Sequence, residues 1–430
     1  MATSSRGANK TIGRLLADGT VEEIADRLGP VSPDRLPLPP EVPEIRNWSS
    51  EGTARRRSFL EERLGRKLPW LGGESALEDD AELKGNIEHF IGMTMIPTGI
   101  IGPLRINGVG AKGDFYVPLA TTEGALVASY HRGASIVSRA GGVTSICLVE
   151  GVQRSPSFRF RTFMEVGTFL IWVMERSAGF QAIVSGISSH ARLEDIRSSV
   201  DGNQITLVLD YNTGDAAGQN MVTICTDAIC RYIVEHAPVK PVVWYVEGNL
   251  SGDKKATAIS FTTVRGKKVT AEALIPRPLV ERGLHTTPEE MMGYWKTSVL
   301  NGIQSGSIGV NGHFANGLTA IFLACGQDAA CVAEAAVGTT RFDVIDGDLY
   351  VCVTLPNLIV GTVGGGTGLP TQRECLELLG CRGDGTARKF AEICAATILC
   401  GEISIVGAIA AGDFAKAHAL FGRRKNGARH

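Results

Sequence analysis

The stretch "EGNLSGDKKATAIS", residues 247–260, sets two adjacent lysines, Lys254 and Lys255, between a flexible Asn/Gly/Ser loop and a segment that turns apolar at once. The chain changes character on either side of it. Upstream, between about 155 and 246, short strands and helices alternate: "ITLVLDYNTGDAAGQNMVTICTDAICRYIVEHA" reads as strand, loop and helix, and "PVVWYVEG" as a further strand. Downstream, "KATAISFTTVRGKKVTAEALIP" reads as a hairpin turning at Arg265 and Gly266, and after about 290 long helical stretches dominate. The two lysines therefore sit at a seam, and what their ammonium groups touch there is the question the sequence poses.

Further upstream the texture differs again. "TVEEIADRLG" carries a capping box, Thr20 with Glu23, and stops at Gly29. Six prolines between Pro30 and Pro43 make a semi-rigid linker, and "TARRRSFLEERLG" a second, basic helix. From about residue 92 the chain is Gly-rich and apolar, with "PLATTEGALVASYHRGASIVSRAGG" read as a helix opened by Thr121 and Thr122.

A chain of 430 residues exceeds the size at which one core keeps growing. Its net charge of −2 gives no electrostatic footprint for nucleic acid or a membrane surface. The ten cysteines form no CxxC pair and lie mostly in apolar segments, as reduced core residues of a cytosolic protein do. Eight histidines show no HExxH or paired ligand spacing, so no metal site is expected. "ICAATILCGEISIVGAIAA", residues 393–411, is apolar enough to tempt a membrane reading, but Glu402 interrupts it and a buried core helix accounts for it better.

Several residues stand out, each with a structural alternative. "GDAAGQN", residues 214–220, lies between strand and helix, where backbone amides and Asn220 suit a pyrophosphate; a capped turn with Asp215 bonding its own backbone fits too. Glu123 stands near the start of an apolar helix, a place the helix dipole favours for any carboxylate. Asp328 is a lone acid in an apolar stretch, either a helix cap or a buried carboxylate of perturbed pKa beside a lysine. His313 and His418 read equally as structural or surface histidines. "GTVGGGTGLP", residues 361–370, misses the GxGxxG register, which argues against a Rossmann dehydrogenase. A close backbone approach by a ligand and a plain turn both remain open.

Taken together the motifs resemble 3-hydroxy-3-methylglutaryl-coenzyme A (HMG-CoA) reductase, in its first class. "VPLATTEGALVAS", "GDAAGQNMV", "GNLSGDKKATAI", "GSIGVNGHFAN", "ACGQDAA" and "GTVGGGTGL" occur in the family's order, from about residue 84 to the C-terminus. The resemblance implies an α+β fold. A small helical N-terminal domain (1–91) would precede a large, mainly helical substrate domain (92–154 and 257–430). A ferredoxin-like NADP(H)-binding domain (155–246) would be inserted in it, joined by the catalytic loop 247–256. It implies a homodimer with the active site across the interface, although His89 and Phe90 replace the usual pair in the dimer motif "EHFIGMTMIPTG".

The implied reaction is a four-electron reduction of HMG-CoA to mevalonate and coenzyme A. The resemblance makes Lys254 the oxyanion-stabilising cation, His418 the proton donor to the thiolate, Glu123 the acid of the second reduction, and Asp328 the carboxylate between lysine and glutamate. Arg154, Asp253, Lys255, Lys296 and Asn316 would hold the acyl group, and Ser129 and Arg132 the coenzyme. Ser188, Arg192, Asp215, Gly218, Gln219, Asn220, Gly364 and Gly365 would hold the cofactor.

Three departures bear on this. Glu247 replaces a serine just before the lysine loop. Ser188 and Ser189 stand where a serine–arginine pair would meet the 2′-phosphate of NADPH, leaving Arg192 as substitute or NADH as cofactor. The regulatory serine of animal members is missing from "FGRRKNGARH". The expectation is a cytoplasmic enzyme of the mevalonate pathway of isoprenoid biosynthesis, without a membrane domain. An NAD-dependent enzyme of mevalonate degradation and a silent acyl-CoA binder are the alternatives.

Overall fold

The structure, a computed structural model, describes residues 5–414. Helices α1 (Ser5–Ala17), α2 (Val21–Leu28), α3 (Ser50–Leu64) and α4 (Pro69–Gly72) precede strands β1 (Thr98–Gly108) and β2 (Lys112–Ala120). Helix α5 (Leu126–Arg139) leads into β3 (Val143–Arg154) and β4 (Ser157–Arg159). Then come α6 (Phe163–Ile187), β5 (Arg192–Asp201), β6 (Gln204–Asn212), α7 (Gln219–His236) and β7 (Val243–Tyr245). The rest is β8 (Gly266–Ile275), α8 (Arg277–Leu284), α9 (Pro288–Gln304), α10 (Phe314–Ala324), α11 (Val332–Ala335), β9 (Thr339–Ile345), β10 (Asp348–Leu358), α12 (Pro370–Leu378) and α13 (Ala387–Ala410).

The part expected to be mainly helical is a mixed layer structure. Strand β10 pairs antiparallel with both β8 and β9, and β8 pairs antiparallel with β3. Alternating burial along β8 and β10 is the half-buried period-two pattern that such pairing requires. The apolar run at the C-terminal end is α13. It is long and apolar enough to cross a membrane, but 83% of its apolar window is buried inside the fold.

Two large hydrophobic cores form, beside a small third cluster of Val42, Leu60, Leu68 and Tyr116. The larger wraps α13, with β1, β2, α5 and α10 around it; the smaller joins β4, β6, α6 and α7. Strand β3 runs from one to the other: Thr144–Gly151 pair with β8, and Val152–Arg154 pair with β6. Arg154 is therefore delivered to the boundary between the cores.

The proline-rich segment is pinned to the body. Buried Arg105 donates to the carbonyls of Val31, Leu36 and Pro37, and Tyr116 donates to Pro40. The capping box of Thr20 and Glu23 is present, as read. The expected hairpin at Arg265–Gly266 is absent. Gly266 (φ +81°) instead opens β8 with its α-carbon against Leu358 and Ile359, where an added Cβ would lie 2.4 Å from a carbonyl oxygen. All ten cysteines are free thiols.

Candidate active site

The lysine loop is held from beneath by buried charge. Arg265, wholly buried, donates from Nη2 to Asp253 at 2.7 Å and from Nε to Glu334 at 2.7 Å. Arg154 reaches the other Asp253 oxygen at 3.0 Å. Glu334 uses its second oxygen to accept the backbone N–H of Lys254 at 3.1 Å. Burial pushes the Glu334 carboxyl above its usual range, and Arg265 only partly opposes that. At the loop's other end Glu247 accepts from the Ser155 amide and hydroxyl and from the Asn249 amide. Glu247, where the resemblance leads one to expect a serine, thus serves as a loop clamp.

From this base Lys254, in a left-handed conformation (φ +53°), extends its ammonium to 3.2 Å from Asp328. Burial pulls the Lys254 pKa down, but the hydrogen bond and charge of Asp328 push harder, and the net shift is upward. Asp328 also caps the short turn after α10 by accepting the Ala330 amide at 3.0 Å. Cap and lysine partner, offered as alternatives by the sequence, are both true, but the burial expected of the carboxylate is not: its side chain is 46% exposed, because it sits on the turn after α10 rather than inside the helix.

A second cluster forms around Glu123. It lies in the turn before α5 rather than in the helix, because residues up to Ala120 stay paired in β2 and Ala125 turns left-handed (φ +69°). Asn316, in the first turns of α10, donates to Glu123 at 2.7 Å, and His313 Nε2 lies 3.9 Å from its other oxygen. Glu402, buried in α13, holds that loop by accepting the amides of Gly312 and His313 and the Thr340 hydroxyl. The acid that interrupts the apolar run is thus a loop support.

A fixed cation paired to a carboxylate, and a carboxylate held by an amide, form an arrangement that stabilises an oxyanion and supplies a proton. The family's sequence model, hydroxymethylglutaryl-coenzyme A reductase, matches residues 52–423. The chain belongs to that family. It is 44% identical over 412 residues to 3-hydroxy-3-methylglutaryl-coenzyme A reductase of Aeropyrum pernix, covering 94% of this chain and 96% of that one. It is 46% identical over 379 residues to the protein of that name from Pyrococcus horikoshii, covering 86% and 91%. The fold is similar to that of the class II reductase of Streptococcus pneumoniae solved with NADPH. There the TM-score is 0.62 at 19% identity, covering 81% of this chain and 96% of that one.

Within this family chain, other expected contacts fall in different places. Gly218 (φ +75°) caps α7 and Asn220 is exposed in its first turn. The Asp215 carboxylate accepts the amides of Gly385 and Ala387 at the start of α13, not its own backbone. The Gln219 side-chain oxygen turns inward to Arg154 and Arg265. Gly364 and Gly365 are left-handed with open space where a Cβ would sit. The same stretch stitches loops together: Gly361 donates to Gln327 at 2.8 Å, and Thr362 to the Asp215 carbonyl at 2.9 Å.

Ser188 accepts the amides of His190 and Ala191, and Arg192 is exposed at the start of β5. Ser129 and Arg132 bond Ser404 of α13. Lys255 donates to the Asp253 carbonyl at 2.9 Å, and Lys296 is exposed on α9. His418 lies outside the described residues. Among the described residues no group of three His, Cys, Asp or Glu could hold a metal ion.

Sequence reading missed Arg265, taken for a turn, and Glu334. Glu334 is a lone acid in "CVAEAAV", the same signal that singled out Asp328.

Proposed function

We propose that the chain reduces HMG-CoA to mevalonate and coenzyme A. The observation that carries this is the Lys254 ammonium, raised in pKa, 3.2 Å from Asp328 on a loop fixed by buried ion pairs. The residues present fit a dinucleotide: the N-terminus of α7 offers amides after Gly218, Asn220 is exposed beside them, and Gly364 and Gly365 leave room. A reduced nicotinamide held there supplies hydride in two successive reductions.

The rest is done by the protein's own groups. Hydride addition to the thioester carbonyl leaves an oxyanion, which the Lys254 ammonium stabilises. Collapse to the aldehyde breaks the C–S bond and releases coenzyme A as thiolate, which takes a proton; His418 is the proposed donor. A second hydride reaches the aldehyde carbon, and Glu123, oriented by Asn316, gives the alkoxide its proton. Arg154, Lys255 and Lys296 are the proposed partners of the substrate's free carboxylate.

The site is proposed to be completed by a second copy of the chain. Asn316 and Asp328 lie at opposite ends of α10, about 12 Å of helix axis apart. The segment before β1 supports completion by a second copy, since Ile91 and Met95 are almost fully exposed there.

NADPH is the proposed cofactor, with Arg192 near its 2′-phosphate. NADH, and the degradative direction, form the second reading, favoured by Ser188 being engaged in its own turn. The test is stoichiometric. Purified protein with HMG-CoA should oxidise two reduced nicotinamides per mevalonate formed; no oxidation of either cofactor would defeat the proposal.

A further inference from the structure

Lys254 is a non-glycine residue with φ +53°, a conformation that persists only where its surroundings over-determine it. The surroundings here are specific. Its N–H meets Glu334 Oε1 at 3.1 Å, and the other Glu334 oxygen takes Arg265 Nε at 2.7 Å. Both side chains are 0% exposed. The far arm of Arg265 takes Asp253 Oδ1 at 2.7 Å and Gln219 Oε1 at 3.0 Å, and Nη1 takes the Gln153 carbonyl at 2.7 Å. Two consecutive loop residues are thus fastened from below, Asp253 by its side chain and Lys254 by its backbone. The lysine side chain is left over Asp328.

A buried ion pair is a poor way to fill space, because apolar residues of similar volume often stabilise as much or more. What Glu334 and Arg265 supply that apolar groups cannot is a directed acceptor for one particular amide. We propose that Glu334, backed by Arg265, is the positioning residue that fixes the backbone of Lys254 and so aims its ammonium at the reacting carbonyl. The assignment rests on the reductase reading for what the ammonium does. It adds a residue pair that touches neither substrate nor cofactor. Through Gln219, the first residue of α7, the same guanidinium ties the lysine loop to the helix at which the dinucleotide is proposed to bind.

Two variants of the full chain separate positioning from plain support. Glu334→Asp keeps the charge against Arg265 and withdraws the oxygen from the Lys254 amide by one methylene; Glu334→Gln keeps the length and removes the charge. Glu334→Asp should fold and lose about ten- to a hundredfold in kcat, as a small misplacement of a reacting group does. Its KM for HMG-CoA should move by less than about threefold. Amide hydrogen exchange of residues 247–256, measured without substrate, should rise by about tenfold.

Turnover within about twofold of the parent, with unchanged exchange, would overturn the assignment. Failure of both variants to fold would also overturn it, since the pair would then be ordinary core support. A parent inactive with HMG-CoA would defeat the reductase reading alone, because the exchange measurement still reports on the loop.

Discussion

The Lys254 ammonium stands 3.2 Å from the Asp328 carboxylate, on a loop and a turn that 74 residues of sequence separate. Gly326, two residues before Asp328, seats that turn on the 361–370 stretch: a Cβ there would lie 2.2 Å from the Gly366 carbonyl oxygen. The pair keeps the lysine charged. Asp328→Asn removes the partner that raises the Lys254 pKa, leaving burial to lower it. The alkaline limb of the pH–rate profile should therefore move to lower pH, and kcat should fall. An unmoved limb would separate the lysine from the rate.

Glu123 is aimed by Asn316 at 2.7 Å. Asn316→Ala should lower kcat by roughly ten- to a hundredfold, with the unfolding midpoint little changed. Asn316→Asp should set a second acid beside Glu123 and shift the pH dependence of turnover upward, since a neighbouring negative charge favours the protonated form. Steady-state kinetics across pH 5–9 check both.

The proposal that a second copy completes the site predicts complementation in a dimer. Glu123→Gln and Lys254→Ala chains, each inactive, should recover roughly a quarter of parental turnover when dissociated and re-associated together. Half the dimers would be mixed, each with one intact site of two. Recovery no greater than the two variants alone would place the whole site within one chain.

Arg192, exposed at the start of β5, is the proposed determinant of cofactor choice. If it meets the 2′-phosphate, Arg192→Ala should raise the KM for NADPH by about tenfold and leave that for NADH unchanged. Equal effects on both would exclude the role.

Glu392 gives a stability prediction independent of the chemistry. Buried in α13, it accepts the amides of Gly110, Ala111 and Cys147, yet burial outweighs them and raises its pKa from 4.5 to about 7. Between those values the folded chain keeps a proton that the unfolded chain releases, so its contribution to stability declines as pH rises and levels off above 7. Relative to Glu392→Gln, the parent should lose up to about 3 kcal/mol of unfolding free energy across that window. Denaturant unfolding of both proteins at several pH values checks the difference.

What the sequence made legible was local or motif-borne. The capping box at Thr20, the buried character of α13, and the residues Lys254, Asp328, Glu123 and Asn316 came from short stretches whose chemistry is visible in place. What it hid depends on partners remote in the chain. Asp215 caps a helix starting 172 residues away, and Arg265 finds Glu334 69 residues on. Strands β9 and β10 were absorbed into a helical reading because an apolar alternation of moderate length does not announce its pairing. The inward turn of the Gln219 side chain toward Arg154 and Arg265 was likewise hidden, since both partners are remote in the chain.

The most direct measurement is the change in reduced-nicotinamide absorbance with HMG-CoA, run side by side on the parent and Lys254→Ala, with mevalonate quantified. The account predicts that the parent oxidises two nicotinamides per mevalonate, while the folded variant loses at least about a hundredfold in rate. A parent without HMG-CoA-dependent oxidation, or a variant with undiminished turnover, would contradict it.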